Sequence, residues 1–386
     1  MATKYPGSIG AWVAEMAYGT ADPIREAVSR EVRFDTLGYN DPGSVGRARE
    51  SLTSWLGNSY GWRVDPATIG FVSDVVSGFQ AVVRHFLPPG APVVVPTPAY
   101  APFLTVPEQF GHPVLRVPGI DGPSGHRMDL AGVDRALAAG GRLVVLCHPH
   151  NPTGRAFTRG ELSALAGIVD SHQARVFSDE IHAPLNLAGR PHVPYASLDE
   201  RTAGHTITAT SASKAWNISG LKCAQLVFSA EQDAQLWSGV ADFYIRSVSR
   251  LGVAALCAAY GEQGSLDWLA ATLGRLRENS RTVAEAVAAD MPGVRCTPPE
   301  STYLAWLDCR SLGVTDVAAY FREHAGVALC DGEEFGSPGF ARLNFALPPD
   351  QLERALAAMA GAVADRRRLP PPAHVESAER TGVGQQ

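Results

Sequence analysis

The sequence predicts an α/β protein: a mostly parallel sheet sandwiched between helices, followed by a smaller α+β domain. Three observations carry this. Between about residues 68 and 228, short apolar and β-branched runs alternate with helix-length segments, as expected of parallel strands joined by crossover helices. Beyond about residue 230 helices dominate, and Leu266, Leu269, Leu273, Leu276, Val283 and Val287 form one apolar stripe at helical spacing. Strand-like runs then return at Thr302 to Leu307 and Ala341 to Phe345, separated by a helical segment from Thr315 to His324.

Residues 1–38 hold Ile9 to Met16 and a helix-like stretch from Ile24 to Val32 opened by Pro23; this segment is expected to pack with the small domain. The turn cluster Gly38-Tyr39-Asn40-Asp41-Pro42-Gly43 leads into a helix with Leu52, Trp55 and Leu56 on one face. The expected strands are Thr68 to Val72, Pro92 to Val95, Val114 to Val117, Arg142 to Cys147, Arg175 to Phe177, Ile207 to Thr210 and Gln225 to Phe228, with helices such as Phe79 to Phe86 and Gly160 to Ser171 between them. A last helix is expected over Asp350 to Asp365. The organisation is thus an N-terminal segment (1–38), a large domain (39–255), a small domain (256–365) and a polar, Arg- and Pro-containing tail (366–386) without apolar periodicity, expected to be mobile.

At 386 residues, with 45% hydrophobic and 19% charged, the chain can bury a large core. Its net charge of -6 is interspersed, so no basic stripe points to nucleic acid and none to an anionic membrane. The six cysteines lie far apart, without CxxC or Cys/His spacing, and read as reduced thiols in a cytoplasmic protein with no metal site. Neither a signal peptide nor a bilayer-length apolar run is expected.

The chemistry centres on Ser211-Ala212-Ser213-Lys214, directly after the β-branched run Thr206-Ile207-Thr208-Ala209-Thr210. An ammonium held away from water is costly unless it is paired or given up, and one way to give it up is to form an imine. Lysine makes Schiff bases with carbonyl compounds, most commonly to hold pyridoxal 5'-phosphate (PLP); the other reading is a surface lysine beside a Ser-rich turn. PLP chemistry needs an acid near its ring nitrogen. Asp179, in Arg175-Val176-Phe177-Ser178-Asp179-Glu180-Ile181-His182, can supply it, although an isolated aspartate also serves as a turn cap. Asn151, in the irregular loop His148-Pro149-His150-Asn151-Pro152-Thr153-Gly154, can offer an amide to the cofactor's phenolic oxygen. Val75-Val76-Ser77-Gly78 precedes an apolar helix whose first amides can meet a phosphate, with hydroxyls from Ser211 and Ser213.

These stretches together resemble the class I/II aminotransferase superfamily of fold type I PLP enzymes, and within it the cystathionine β-lyase type of carbon-sulfur lyases. The resemblance spans about residues 8–365. It rests on Trp12-Val13-Ala14-Glu15-Met16, Gly38-Tyr39, Pro96-Thr97-Pro98-Ala99-Tyr100, Pro149 to Gly154, Ser178 to Ala183, Ser213-Lys214 with Asn217 and Gly220, and Arg342-Leu343-Asn344. It implies that Lys214 carries the cofactor, Asp179 pairs with its ring nitrogen, Asn151 and His182 lie near its phenolic oxygen, and Tyr100 stacks on the ring. It places Lys222, otherwise a solvated lysine, at the phosphate, with Tyr39 reaching that group from the neighbouring subunit of a homodimer. Arg342 becomes the clamp for a substrate carboxylate, beside Ala14 and Asn151; a guanidinium offers two parallel donors to two oxygens.

Four positions depart from the lyase pattern. Asp74 and Ser301 stand where glycine is usual, Pro184 where an acid is usual, and Glu15 where aspartate is usual. The expected activity is α,β-elimination from an S-substituted L-cysteine. The alternatives are an aminotransferase, a specialised-metabolism enzyme that processes or decarboxylates a large cysteine conjugate, and a regulatory protein on the same fold.

Overall fold

A computed structural model describes residues 4–122 and 125–368. Seven strands make the central sheet in the order Ile69–Val72, Ala224–Phe228, Thr206–Thr210, Arg175–Asp179, Leu143–Cys147, Val93–Thr97 and Val114–Pro118. Only Ala224–Phe228 runs against its neighbours; the other adjacent pairs are parallel. Every residue of Leu143–Cys147, Thr206–Thr210 and Ala224–Phe228 is buried. That is why these strands read as continuous apolar and β-branched runs rather than alternating ones: helices cover both faces.

One face buries Phe79, Phe103 and Phe177 against Leu226 and Phe228; the other buries Val94, Val133, Leu162, Leu165 and Tyr195. The covering helices carry local start and stop signals. Arg159–Ser171 begins with a Thr158/Glu161 capping box, and Pro42–Tyr60 is capped by Asp41, has Pro42 in its first turn and ends on left-handed Gly61. The helix Val75–Phe86 starts four residues before the expected Phe79, because Asp74 caps it by accepting from the Ser77 amide at 2.8 Å.

The second unit is a four-stranded antiparallel sheet, ordered Arg295–Cys296, Leu304–Asp308, Phe340–Asn344 and Cys330–Asp331, packed with Gln263–Asp290, Val317–Ala325 and Pro349–Arg368. The last helix runs three residues past the expected Asp365. Arg366 to Arg368 form its last turn, where cations suit the carbonyl end of the helix dipole, and do not open the tail; residues 369–386 lie outside the described residues.

The boundary expected at 255/256 falls inside the helix Arg250–Gly261, so the chain does not divide there. The N-terminal segment also divides its contacts. Ile9–Gly10 pairs in parallel with Val327–Ala328 of the second unit, whereas Asp22–Arg33 packs mainly on Arg250–Gly261. All six cysteines are free thiols, and among the described residues there is no metal-binding cluster and no helix long and apolar enough to cross a membrane.

Candidate active site

The site lies beyond the carboxyl ends of the parallel strands, where open α/β sheets present their loops. Sheet register aligns Cys147 with Asp179 and Asp179 with Ala209, so the loops starting at His148, Glu180 and Ser211 leave the sheet at one level. After Thr210 the chain turns tightly: Ser211 Oγ accepts from the Ser213 amide at 3.1 Å and donates to the Cys223 carbonyl at 2.8 Å. Trp216, fully buried, anchors the far end of the turn through Nε1 to the Ser265 carbonyl at 3.0 Å. Lys214 is held between these two fixed points.

Lys214 Nζ donates to the Ala14 carbonyl at 2.9 Å, an oxygen that also accepts from Tyr303 Oη at 2.9 Å. Burial, and then the nearby Arg342 guanidinium, bring the lysine pKa down from 10.5 to about 8, while Glu15 and Asp179 pull the other way. Among the described residues no carboxylate forms an ion pair with the ammonium to hold its proton.

Asp179 ends its strand fully buried, with one carboxylate oxygen accepting from the Ile181 amide at 3.1 Å. Burial raises its pKa to about 7; the Ile181 amide opposes that shift and the adjacent Glu180 adds to it. Glu180 turns elsewhere, accepting from Ser178 Oγ (2.8 Å), His192 Nε2 (2.7 Å) and the Tyr195 amide (3.0 Å). Thus of two adjacent buried acids one is satisfied by the protein, and the other lacks a full set of donors and suits a cation.

Arg342, also buried, donates from Nη1 to Asn151 Oδ1 at 3.0 Å and from Nη2 to the Trp12 carbonyl at 2.8 Å, and lies over the Phe335 ring at 4.9 Å. Its Nε has no partner, and among the described residues no carboxylate forms an ion pair with it. A buried guanidinium without an anion is arranged to receive one. His182 is buried with Nδ1 unpartnered, and burial, then Lys214 and Arg342, lower its pKa to about 3, so it is neutral.

Tyr100 is 36% exposed, packs edge-on against Phe103 at 5.8 Å, and feels Arg342, Asp179 and Asp74 as nearby charges. The amides of Val75 and Val76 open their helix and have no acceptor within it. Lys222 Nζ lies 2.9 Å from Asp74 Oδ2. Ser213 is half-buried beside them, but the Ser211 hydroxyl hydrogen is already committed to Cys223. Tyr39 stands apart: it is 84% exposed and its side chain has no hydrogen bond or ring contact among the described residues.

The N-terminal segment that supplies Ala14 is pinned by two asparagines. Asn217 accepts from the Met16 amide and donates to the Met16 and Gly19 carbonyls, each at 2.9 Å. Asn344 donates to the Val13 and Glu15 carbonyls, each at 2.6 Å. Asn217 also has φ of 58°, a left-handed conformation that asparagine tolerates better than most side chains. Asn217→Ala is expected to lower stability by about 3 kcal/mol, roughly one for each lost hydrogen bond, with Asn217→Gly milder because it relieves the backbone; urea unfolding midpoints measure both.

Sequence reasoning missed Tyr303, Cys330 and Phe335. Tyr303 shares the Ala14 carbonyl with Lys214, and Cys330 Sγ lies 3.3 Å from Arg342 Nη2. Tyr303 directly follows the flagged Ser301-Thr302 stretch; nothing local marks the other two.

The family model for aminotransferase class I and II matches residues 13–359. The chain is 36% identical over 359 residues to the cystathionine beta-lyase of Corynebacterium glutamicum, covering 92% of this chain and 94% of that one. It belongs to the class I and II aminotransferases. Within that family it is 30% identical over 339 residues to the cystathionine beta-lyase PatB of Bacillus subtilis, covering 86% of this chain and 87% of the relative. The PLP-bound C-S lyase of Staphylococcus hominis superposes with a TM-score of 0.86 at 27% identity, covering 92% of this chain and 91% of that one. The family's cofactor fits the residues present: the buried Asp179 carboxylate with few donors of its own, the part-buried Lys214 with a lowered pKa, and the unpartnered Nδ1 of His182, which feels the charges of Lys214 and Arg342.

Proposed function

We propose that this class I/II aminotransferase family member is a PLP-dependent carbon-sulfur β-lyase that converts an S-substituted L-cysteine and water into a thiol, pyruvate and ammonia. The substrate is cystathionine or a larger cysteine conjugate. The observation that carries the reading is Lys214, part-buried on the Ala14 carbonyl, with a pKa of about 8 under the opposing charges of Asp179 and the anion-free Arg342. Lys214 would carry the cofactor, Asp179 would meet its ring nitrogen, Asn151 and His182 its phenolic oxygen, and Tyr100 its ring face. Val75, Val76, Ser211, Ser213 and Lys222 would surround its phosphate. When bound, PLP supplies an aldehyde that condenses with amines and a ring that accepts the electron pair left at a substrate's α carbon.

The chain's own groups do the rest. Arg342 takes the substrate carboxylate with Nε and an Nη, which orients the α proton toward Lys214. The Lys214 amine, neutral in a large fraction of molecules near pH 8, removes that proton as general base. Neutral His182 adds no cation beside the ring. Departure of sulfur from the β carbon then gives the thiol. Among the departures from the lyase pattern, Pro184 and Ser301 are buried, Ser301 Oγ donating to the Leu185 carbonyl at 2.6 Å, so both act as structural residues of the wall.

The pH dependence follows from Lys214. Capture of PLP by the cofactor-free protein requires the neutral amine, so its rate should rise about tenfold per pH unit below about 8 and level off above it. Arg342→Met removes a cation that lowers the lysine pKa, so the midpoint moves upward. The same variant should raise KM about 10- to 100-fold through loss of hydrogen bonds to a charged carboxylate. Stopped-flow capture at several pH values and steady-state kinetics measure the two effects separately.

Two further parts of the reading concern assembly and compartment. Phe34, Leu37 and Tyr39 are all exposed within one short stretch, which supports a homodimer in which Tyr39 reaches the phosphate group held by the neighbouring subunit. Six free thiols support a cytoplasmic enzyme. The test of function is incubation of the PLP-loaded protein with L-cystathionine alone. Pyruvate and thiol release is expected; no pyruvate, together with turnover that requires a 2-keto acid, would replace the lyase by an aminotransferase.

A further inference from the structure

Asp74 stands where an anion would meet the helix Val75–Phe86. Its Oδ1 accepts from the Ser77 amide at 2.8 Å and its Oδ2 lies 2.9 Å from Lys222 Nζ. A first-turn amide and a lysine are also the two kinds of group proposed above to hold the cofactor's phosphate. As the cap residue, with extended backbone at φ -158° and ψ 171°, Asp74 has its carboxylate fixed over the helix start rather than free to swing into solvent. The carboxylate is also near enough to the site to be among the charges acting on Tyr100.

We propose that Asp74 is a resident anion of the phosphate site: it neutralises Lys222 when no phosphate is present, and an incoming phosphate has to share Lys222 with it. This rests on the PLP reading above. The Lys222 and Asp74 side chains are 55% and 37% exposed, so their ion pair is weak and Lys222 is free to turn toward a second anion. The carboxylate itself stays in place because the helix cap holds it. A phosphate of up to two negative charges therefore binds within reach of a third, and that repulsion lowers its affinity. The consequence is a cofactor anchored mainly through Lys214 and the ring contacts, with a loosely held phosphate, and a cofactor-free helix start that needs no bound anion.

The cap and the charge can be separated, because asparagine and serine cap helices about as well as aspartate. Asp74→Asn and Asp74→Ser keep an acceptor for the Ser77 amide and remove only the negative charge. The experiment measures affinities of the cofactor-free protein for PLP and for unphosphorylated pyridoxal by equilibrium dialysis, and the rise in Tm produced by inorganic phosphate. Both variants should bind PLP about tenfold more tightly than the parent, ~1.4 kcal/mol, with pyridoxal affinity unchanged and a larger stabilisation by inorganic phosphate. Equal or weaker PLP binding by both variants, or an equal gain for pyridoxal, would reduce Asp74 to a helix cap and overturn the proposal. A parent protein that binds no PLP would instead overturn the cofactor reading on which it rests.

Discussion

Lys214→Ala is expected to abolish covalent capture of PLP, seen as loss of the protein-bound cofactor's visible absorption band, and to lower pyruvate release at least about 10³-fold. Among the described residues no second amine is arranged as Lys214 is: Lys222 is half-exposed and paired with Asp74. The fold should survive, because the Lys214 side chain makes a single hydrogen bond, to the Ala14 carbonyl, and Tyr303 Oη continues to donate to that oxygen. The stability change should therefore stay within about 1 kcal/mol, which separates lost chemistry from lost structure. Lys214→Arg gives a second check. A guanidinium stays protonated at any working pH, so Arg at this position keeps the charge and loses the nucleophile and the base. Absorption spectra and pyruvate assays on both variants decide the matter; a variant that keeps the band would remove Lys214 from its role.

The large sheet was legible because its parallel strands are buried on both faces. Thr206–Thr210 and Leu143–Cys147 can hardly be anything but strands when every residue is apolar or β-branched and a turn follows. Lys214, Asp179 and Asn151 stood out as candidates for a related reason: Asp179 ends its strand, and Lys214 and Asn151 lie in the loops that directly follow theirs, where polar residues after an apolar run are conspicuous. Residues that reach the site from the second unit carry no such mark. Phe335 beneath Arg342 and Cys330 beside it lie on short elements whose meaning comes from packing across the molecule. The misplaced domain boundary has a similar cause. Arg250–Gly261 is a continuous helix sandwiched between Asp22–Arg33 and Pro42–Tyr60, so the boundary expected at 255/256 coincides with no break in the chain. The hydroxyl of Ser211 illustrates a finer limit, since its commitment to the Cys223 carbonyl depends on a strand that returns 12 residues later.

Asp179→Asn is expected to cost about 30- to 5,000-fold in kcat/KM, the range set by roughly 2–5 kcal/mol for removing one partner of a buried, hydrogen-bonded charge pair. An amide matches the carboxylate in shape and can still accept from the Ile181 amide, so geometry is preserved while the charge proposed to meet the ring nitrogen is lost. The variant should shift the pH profile as well. Asp179 raises the pKa of Lys214, so its removal moves the midpoint of PLP capture below about 8, opposite to the shift expected for Arg342→Met. Stability gives a third, independent sign. The Asp179 pKa is raised by burial to about 7 from 3.8, so the folded, cofactor-free protein holds a proton that the unfolded chain releases. Its contribution to stability therefore falls as pH rises from about 4 to about 7, and Asn at this position should flatten that part of the profile. A protonated ring nitrogen held at Asp179, as proposed, would reverse the parent's penalty by favouring the ionised carboxylate and so couple PLP binding to folding most strongly at neutral pH. Urea midpoints at pH 5 and pH 8, with and without PLP, measure this coupling; a variant with the parent's pH profile and the parent's gain from PLP would place the cofactor's ring away from Asp179.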